Sequence, residues 1–188
     1  MNRVAYVLVM AIGSLSLSGL AQTNGAKEQF SAIAIVNNER GSGAGTVQIE
    51  ISRWSTEAER SKLVNTLLKD GPRALLDRLS DARPVGTIKT PDSLAYDLRY
   101  AHQIPGEDGG RQIVMATDRP IGFWEARNQP RTIDYPFTVI QMQLGRDGTG
   151  TGTLSYATKI RATGSTIELE NFGTSPVMLT KIEARRER

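Results

Sequence analysis

The side chains best suited to chemistry lie between two strand-like runs, Gln112–Thr117 and Phe137–Leu144. Both runs are rich in β-branched and aromatic residues, which is typical of strands. Three prolines in the connecting segment each remove an amide donor and favour an extended residue before them, so the sequence predicts a shaped loop, not a long helix. Within this loop we select six candidate ligand contacts: Asp118, Arg119, Trp124, Glu125, Arg127 and Tyr135.

Acidic and basic residues are neighbours in this loop, and three kinds of chemistry fit them. Two carboxylates, such as Asp118 and Glu125, could act as the acid pair of a glycoside hydrolase. Arginines beside carboxylates lower the pKa of the acid, however, which suits structural ion pairs better than a general acid. In the third possibility an arginine holds an anionic group of a ligand while Trp124 or Tyr135 stacks on it.

The single histidine, His102, is the one weak catalytic candidate. Alternation from Leu94 to Ile104 predicts that it shares a strand face with Tyr96 and Tyr100. A histidine in this setting is usually a hydrogen-bonded core residue, and acid–base catalysis in a cavity is the alternative. One histidine and no cysteine leave a zinc site short of ligands, and no Gly-x-Ser-x-Gly elbow is present. The sequence therefore predicts no metal and no cofactor.

The composition is that of a globular chain without disulfides. Its 188 residues are 39% hydrophobic and 23% charged, and none is cysteine. This length allows one domain with a sizeable core. The net charge of +3 is too small to indicate nucleic acid, and we expect the basic residues at 184–188 to form a solvated tail. The expected partner is an unknown small molecule or protein.

Residues 1–21 have the features of a secretory leader. Arg3 precedes an apolar run, Val4–Leu17, and Gly19-Leu20-Ala21 fits a cleavage site. Cleavage after Ala21 predicts an exported protein, periplasmic or extracellular. A membrane anchor is the alternative, but the run is shorter than the roughly 20 residues that span a bilayer, and no second apolar run follows in the mature chain. Residues 22–29 are then a flexible lead-in, and residues 30–183 a single β-rich domain.

Beyond residue 30 the patterns predict about nine strands and one helical insertion. Thr56 with Glu59 forms a capping-box pattern, while Gly71 and Pro72 predict the end of one helix and the start of another, giving a helical hairpin after the second strand. The glycine-rich residues 40–45 lack the ending of a phosphate-binding loop and predict a hairpin loop. Short connections make neighbouring strands antiparallel. The predicted fold class is mainly β: an antiparallel up-and-down barrel or half-barrel, with a two-sheet sandwich as the alternative.

Six short motifs are spread over most of the chain beyond the leader. They are Arg53-Trp54-Ser55-Thr56, Val85-Gly86-Thr87-Ile88, Tyr96-Asp97-Leu98-Arg99-Tyr100, Ala116-Thr117-Asp118-Arg119-Pro120, Phe123-Trp124-Glu125 and Tyr135-Pro136-Phe137. Together they resemble those of a family of small exported bacterial proteins of unknown function. The resemblance implies export from a bacterial cell and no particular activity.

These observations leave three classes of function open. The first is a binding module that takes a small or extended ligand at the 118–135 loop and the barrel mouth. The second is a cofactor-independent enzyme that uses His102 or a carboxylate. The third is an envelope scaffold or interaction protein. An enclosed pocket lined by Tyr96, Tyr100 and His102 would favour binding or catalysis, and a filled interior would favour the scaffold.

Overall fold

The computed structural model describes residues 27–38, 41–90, 94–121, 136–163, 166–171 and 175–186. Within these ranges the chain is mainly β, as predicted, with one long helix. The strands are β1 (Glu28–Asn38), β2 (Gly41–Ile51), β3 (Gly86–Lys89), β4 (Tyr96–Leu98), β5 (Tyr100–Pro105), β6 (Arg111–Thr117), β7 (Phe137–Leu144), β8 (Thr149–Thr163), β9 (Thr166–Asn171) and β10 (Val177–Arg186). The helix α1 (Glu57–Ser80) lies between β2 and β3, and a 3₁₀ turn, Glu107–Gly109, joins β5 to β6.

All ten strands belong to one antiparallel sheet. Nine of them follow the order β4-β3-β2-β1-β10-β8-β7-β6-β5, and β9 pairs with β8 off this path. Most neighbours are consecutive in the chain, as expected for strands joined by short connections. The sheet is open, because β4 and β5 end the path and do not pair with each other in the part of the chain described. The predicted barrel of nine strands is therefore not confirmed.

The boundary between β4 and β5 falls at Arg99, where the chain changes partners. The Leu98 carbonyl accepts a hydrogen bond from the Val85 amide at 2.8 Å, whereas the Arg99 amide donates to the Ala116 carbonyl at 2.9 Å. Leu98 and Ala101 are both buried in the same core, although residues on one face of a regular strand are an even number apart. The alternation predicted from Leu94 to Ile104 is therefore wrong beyond Leu98, and also at Leu94, which is 90% exposed and precedes β4.

Each face of the sheet has its own hydrophobic cluster. The larger, here the main core, collects buried side chains from every strand except β9, together with Trp54. The smaller forms where α1 packs on the other face, which we call the outer face; its buried members are Leu67, Leu75, Leu79, Phe137, Val139 and Ile160. The helix thus covers one part of the outer face and leaves the main core to the sheet.

Local signals account for the ends and the kink of α1. Thr56 Oγ1 accepts a hydrogen bond from the Glu59 amide at 3.2 Å, and the Glu59 carboxylate accepts one from the Thr56 amide at 2.7 Å, so the predicted capping box is present. Gly71 has φ 84° and ψ −175°, a conformation that glycine adopts without steric cost and that suits the Pro72 which follows. The structure has one helical element kinked at this point, and the predicted helical hairpin is not confirmed.

The glycine run lengthens a hairpin where the sequence predicts a loop. β2 begins at Gly41, and the ladder with β1 continues through Val36 opposite Gly43 to Asn38 opposite Gly41. The predicted hairpin is confirmed, but its loop does not extend over residues 41–45, because β1 supplies a backbone partner for each glycine there and this pairing outweighs their low strand propensity. Arg40 lies outside the described residues.

A buried ion pair joins β1 to β6 across the main core. Arg111 Nη1 donates to Glu28 Oε2 and to Gln103 Oε1, each at 2.9 Å, and Arg111 Nη2 contacts the other Glu28 carboxylate oxygen. The side chains of Glu28 and Arg111 are 3% and 15% exposed, and the guanidinium carbon lies 5.7 Å from the centre of the Phe30 ring. These side chains connect two strands that do not pair with each other.

Replacing Arg111 with Met would leave the buried Glu28 carboxylate without this partner. We expect Arg111→Met to lower the free energy of unfolding by about 3–5 kcal/mol, because an uncompensated buried charge is costly. The double variant Glu28→Leu/Arg111→Met removes both charges and should recover at least half of that loss. Urea unfolding of the wild type, both single variants and the double variant measures the coupling. Losses that simply add would show that the two side chains do not depend on each other.

Candidate functional site

The structure describes only the beginning of the loop selected from the sequence. Asp118 and Arg119 follow β6, and both are placed. Trp124, Glu125, Arg127 and Tyr135 lie outside the described residues, so their role in a site stays a prediction.

Asp118 lies between two arginines that engage its carboxylate. Its side chain is 7% exposed, and Oδ1 lies 3.3 Å from Nε of Arg119 and 3.7 Å from Nε of Arg99. Arg99 in turn donates from Nη1 to the Ala82 carbonyl at 2.9 Å, and its Nη2 lies 3.5 Å from Asp97. The cluster links the segment after α1, the β4–β5 boundary and the end of β6. Such a carboxylate suits an ion pair better than a proton donor.

The first concave site, the helix–sheet groove, lies between α1 and the outer face of the sheet. Its volume is about 130 Å³, and it is open to solvent on one side. Twelve of its lining residues are aliphatic: Leu63, Val64, Leu67, Leu75, Leu79, Ile104, Val114, Ala116, Val139, Ile160, Ile167 and Leu169. The four others are Arg60, Tyr100, His102 and Gln141. Apolar walls with a few polar groups are typical of small-molecule sites.

His102 and Tyr100 form the aromatic part of the groove wall. Their rings stack with centroids 6.2 Å apart and an interplanar angle of 18°. Tyr96, predicted to join them, packs against the main core instead. The sequence pattern predicts one face for Tyr96, Tyr100 and His102 because residue types alternate along this stretch. The change of strand partner at Arg99 places Tyr96 on the main-core side and the other two on the outer face.

Burial determines the protonation of both rings. Desolvation and the nearby Arg60 lower the pKa of His102 below 6.5, and Glu57 and the backbone of Ser55 oppose this shift only in part. Burial also raises the pKa of Tyr100 to about 12. The buried Nδ1 of His102 has no hydrogen-bond partner among the described residues. At neutral pH the groove therefore presents an uncharged imidazole and an uncharged phenol.

The groove lacks the groups that most reactions require. Its lining includes no carboxylate and, apart from the Tyr100 phenol, no hydroxyl among the described residues. The charge of Arg60 is balanced by Glu57, whose Oε1 lies 2.7 Å from Arg60 Nη1. The wall around the uncharged imidazole is therefore mainly aliphatic.

The second concave site, the outer trough, lies on the outer face of β10, β1, β2 and β3. Its volume is about 600 Å³, and it is open to solvent. The register places its outward side chains in two rows across the strands: Arg185, Gln29, Glu50 and Thr87 in one, and Glu183, Ser31, Gln48 and Lys89 in the other. Sequence reasoning missed this site. The polar residues that alternate along β2 indicated an exposed strand face. Nothing in the sequence indicated that β1 pairs with β10, which completes the trough.

In the ranges that the structure covers, no group of three or more His, Cys, Asp or Glu side chains could hold a metal ion. In the same ranges, no helix is both long enough and apolar enough to cross a membrane.

Comparison with protein-family models, with curated proteins and with solved structures gives no match. The family resemblance drawn from the short motifs therefore stays a prediction.

The lowered pKa of His102 makes stability depend on pH. The unfolded state binds this proton near pH 6.5 and the folded state only at lower pH, so the free energy of unfolding should decrease as pH falls from about 7 through the folded pKa. NMR titration of the single imidazole measures the folded value directly. His102→Gln should remove this part of the pH dependence. A midpoint at or above 6.5 would contradict the burial that the structure assigns to the ring.

Asp118 should stabilise the fold at neutral pH and lose that effect in acid. Burial alone raises the pKa of Asp118. The hydrogen bond and charge of Arg119 and the charge of Arg99 outweigh this effect, so the pKa lies below its usual value of 3.8. Its contribution is complete above the unfolded value and disappears as pH falls through the folded one. Asp118→Asn should lower the free energy of unfolding at pH 7 by about 1 kcal/mol and flatten the decline below about pH 4. Asp77→Asn, at an exposed position of α1, is the control, and identical acid profiles for the two variants would disprove the role of the arginines.

Proposed function

We propose that this protein is a binding module that holds a small apolar group of its ligand in the helix–sheet groove. The lining of the groove carries the proposal, since twelve of its sixteen residues are aliphatic. Apolar side chains that border an unfilled space lose dispersion contacts, and a ligand group that fills the space restores them. Binding is one of the three classes that the sequence left open, here at a different place from the 118–135 loop. Tyr100 and His102 line the groove and Tyr96 does not. The buried main core on the other face of the sheet is the outcome expected for a scaffold, the alternative function.

The size of the groove limits what it can hold. Its volume of about 130 Å³ is close to that of an engineered apolar cavity of about 150 Å³ that stays dry and binds benzene. Drug-sized ligands need roughly 300–1,000 Å³. One ring or a short branched alkyl group therefore fits, and the remainder of a larger ligand would extend beyond the groove.

The polar part of the wall defines the rest of the ligand. Tyr100 and His102 are uncharged at neutral pH, and Arg60 is already paired with Glu57. A ligand group with a full charge would lose its hydration without gaining a free counter-ion. The ligand is therefore an uncharged apolar group, with at most one hydrogen-bonding substituent beside Tyr100 and His102.

We also infer that the sheet curves around the main core as a half-barrel. Between β1 and β6 the sheet path contains three strands, so a flat sheet would hold β1 and β6 about 19 Å apart. The direct contact of Glu28 with Arg111 supports strong curvature. Export of the module, periplasmic or extracellular, remains part of the proposal on the leader pattern of residues 1–21 alone.

Benzene and toluene are the probes that test the groove. Millimolar toluene should raise the melting temperature, because it binds only the folded state, and should shift the methyl NMR signals of Leu67, Leu79 and Val114. Val114→Phe fills the groove and should abolish these effects. Ile33→Phe places the same ring at a half-buried position of β1 outside the groove and should retain them.

Two results would refute the proposal. The first is the absence of methyl shifts at saturating toluene in the wild type. The second is equal binding by the wild type and Val114→Phe, which would place the probe elsewhere. A melting curve of each variant without ligand shows whether the substitution itself disturbs the fold.

A further inference from the structure

The outer trough is independent of the helix–sheet groove and differs from it in chemistry. Its volume of about 600 Å³ lies within the range of ordinary small-ligand sites, roughly 300–1,000 Å³. Eight of its twelve lining residues are outward polar or charged side chains of four adjacent strands, and the other four are Phe30, Ile49, Ala95 and Ala184. The groove, in contrast, is lined by α1 and β5–β9. A ligand of the trough would therefore be polar.

Charged side chains stand at both ends of the trough, in opposite order in the two rows. Arg185 and Glu183 lie at the β10 end, while Glu50 on β2 and Lys89 on β3 lie at the other. All four are exposed. No ion pair within 4.0 Å joins any of them to another residue in the described ranges. Each row thus offers one cation and one anion to a ligand.

The middle of the trough is uncharged and able to form hydrogen bonds. Gln29 and Ser31 on β1 and Gln48 on β2 lie between the charged ends. Amide and hydroxyl side chains both donate and accept, which matches the alternating N–H and C=O groups of a peptide backbone. A ligand that satisfies both regions has opposite charges at its two ends and amides between them.

The strand spacing gives the length of this ligand. Arg185 and Glu50 are two strands apart, about 10 Å, and Glu183 and Lys89 are three strands apart, about 14 Å. An extended peptide covers at most about 3.3–3.6 Å per residue. Three residues therefore match the first row, and four match the second.

From this spacing we propose that the outer trough binds a short extended peptide of three or four residues with both ends free. In one row the terminal carboxylate pairs with Arg185 and the terminal ammonium with Glu50. In the other row the carboxylate pairs with Lys89 and the ammonium with Glu183. The side-chain amides of Gln29 and Gln48 bond the peptide backbone between them.

Trialanine and tetra-alanine are the probes, titrated at low salt because exposed ion pairs are screened. Calorimetry should show binding of both free peptides, and NMR should show shifts of the Gln29 and Gln48 side-chain amides. Acetylation of the amino end or amidation of the carboxyl end removes one charge and should weaken binding about fivefold, in line with exposed ion pairs. These capped peptides are matched controls, since their lengths and side chains are unchanged.

Protein variants locate the site. Glu50→Gln should weaken trialanine binding about fivefold, and Lys89→Gln should do the same for tetra-alanine. Lys69→Gln, at an exposed position of α1, should leave both unchanged. Capped peptides that bind as tightly as free ones would overturn the proposal. So would the absence of binding at 10 mM, on the order of the weakest affinity that such contacts supply. Neither result bears on toluene binding in the groove.

Discussion

The contact of Glu28 with Arg111 is the constraint on which the rest of the structure depends. Two charges are removed from water at the edge of the main core, and such a pair is tolerated only where further partners satisfy its remaining atoms. Gln103 accepts from the same guanidinium, and the Phe30 ring lies beside it. Because this geometry exists in one strand register only, a shift of β1 or β6 by one residue would bury an unpaired charge. The ion pair therefore fixes the relative register of β1 and β6, which are not hydrogen-bonded to each other in the sheet.

The main core occupies the inner face of the sheet in the described residues. Every strand except β9 contributes to it, and Trp54 adds its indole from the segment between β2 and α1. With the inner face occupied by the protein's own side chains, both concave sites lie on the outer face. The helix–sheet groove exists because α1 does not fill the space above β5–β9. The outer trough exists because four strands present short polar side chains beside longer charged ones. The two proposed sites thus share the face of the sheet that the main core does not use.

The sequence predicted the features that depend on neighbouring residues. The capping box of Thr56 and Glu59 and the helix break at Gly71 are local, and β-branched and aromatic runs located strands such as β6 and β7. Features that depend on distant partners were not predictable. The alternation from Tyr96 to His102 is regular in residue type. It breaks because the Leu98 carbonyl bonds to Val85 while the Arg99 amide bonds to Ala116, on a different strand. The glycines of β2 looked like a loop because their pairing with β1 is not visible in their own types. The outer trough required the register between β1 and β10, which no short stretch of sequence contains.

The position of β10 has a consequence for how the chain acquires its structure. This last strand lies between β1, the first strand, and β8. Until its residues have been synthesised, both of those neighbours keep an open edge, and such edges are templates for aggregation. Contacts between the two ends of a chain also form slowly, because the loop that they close is long. A nascent polypeptide of this protein is therefore most vulnerable until β10 has been synthesised and paired, and anything that shields β1 during that interval would protect it.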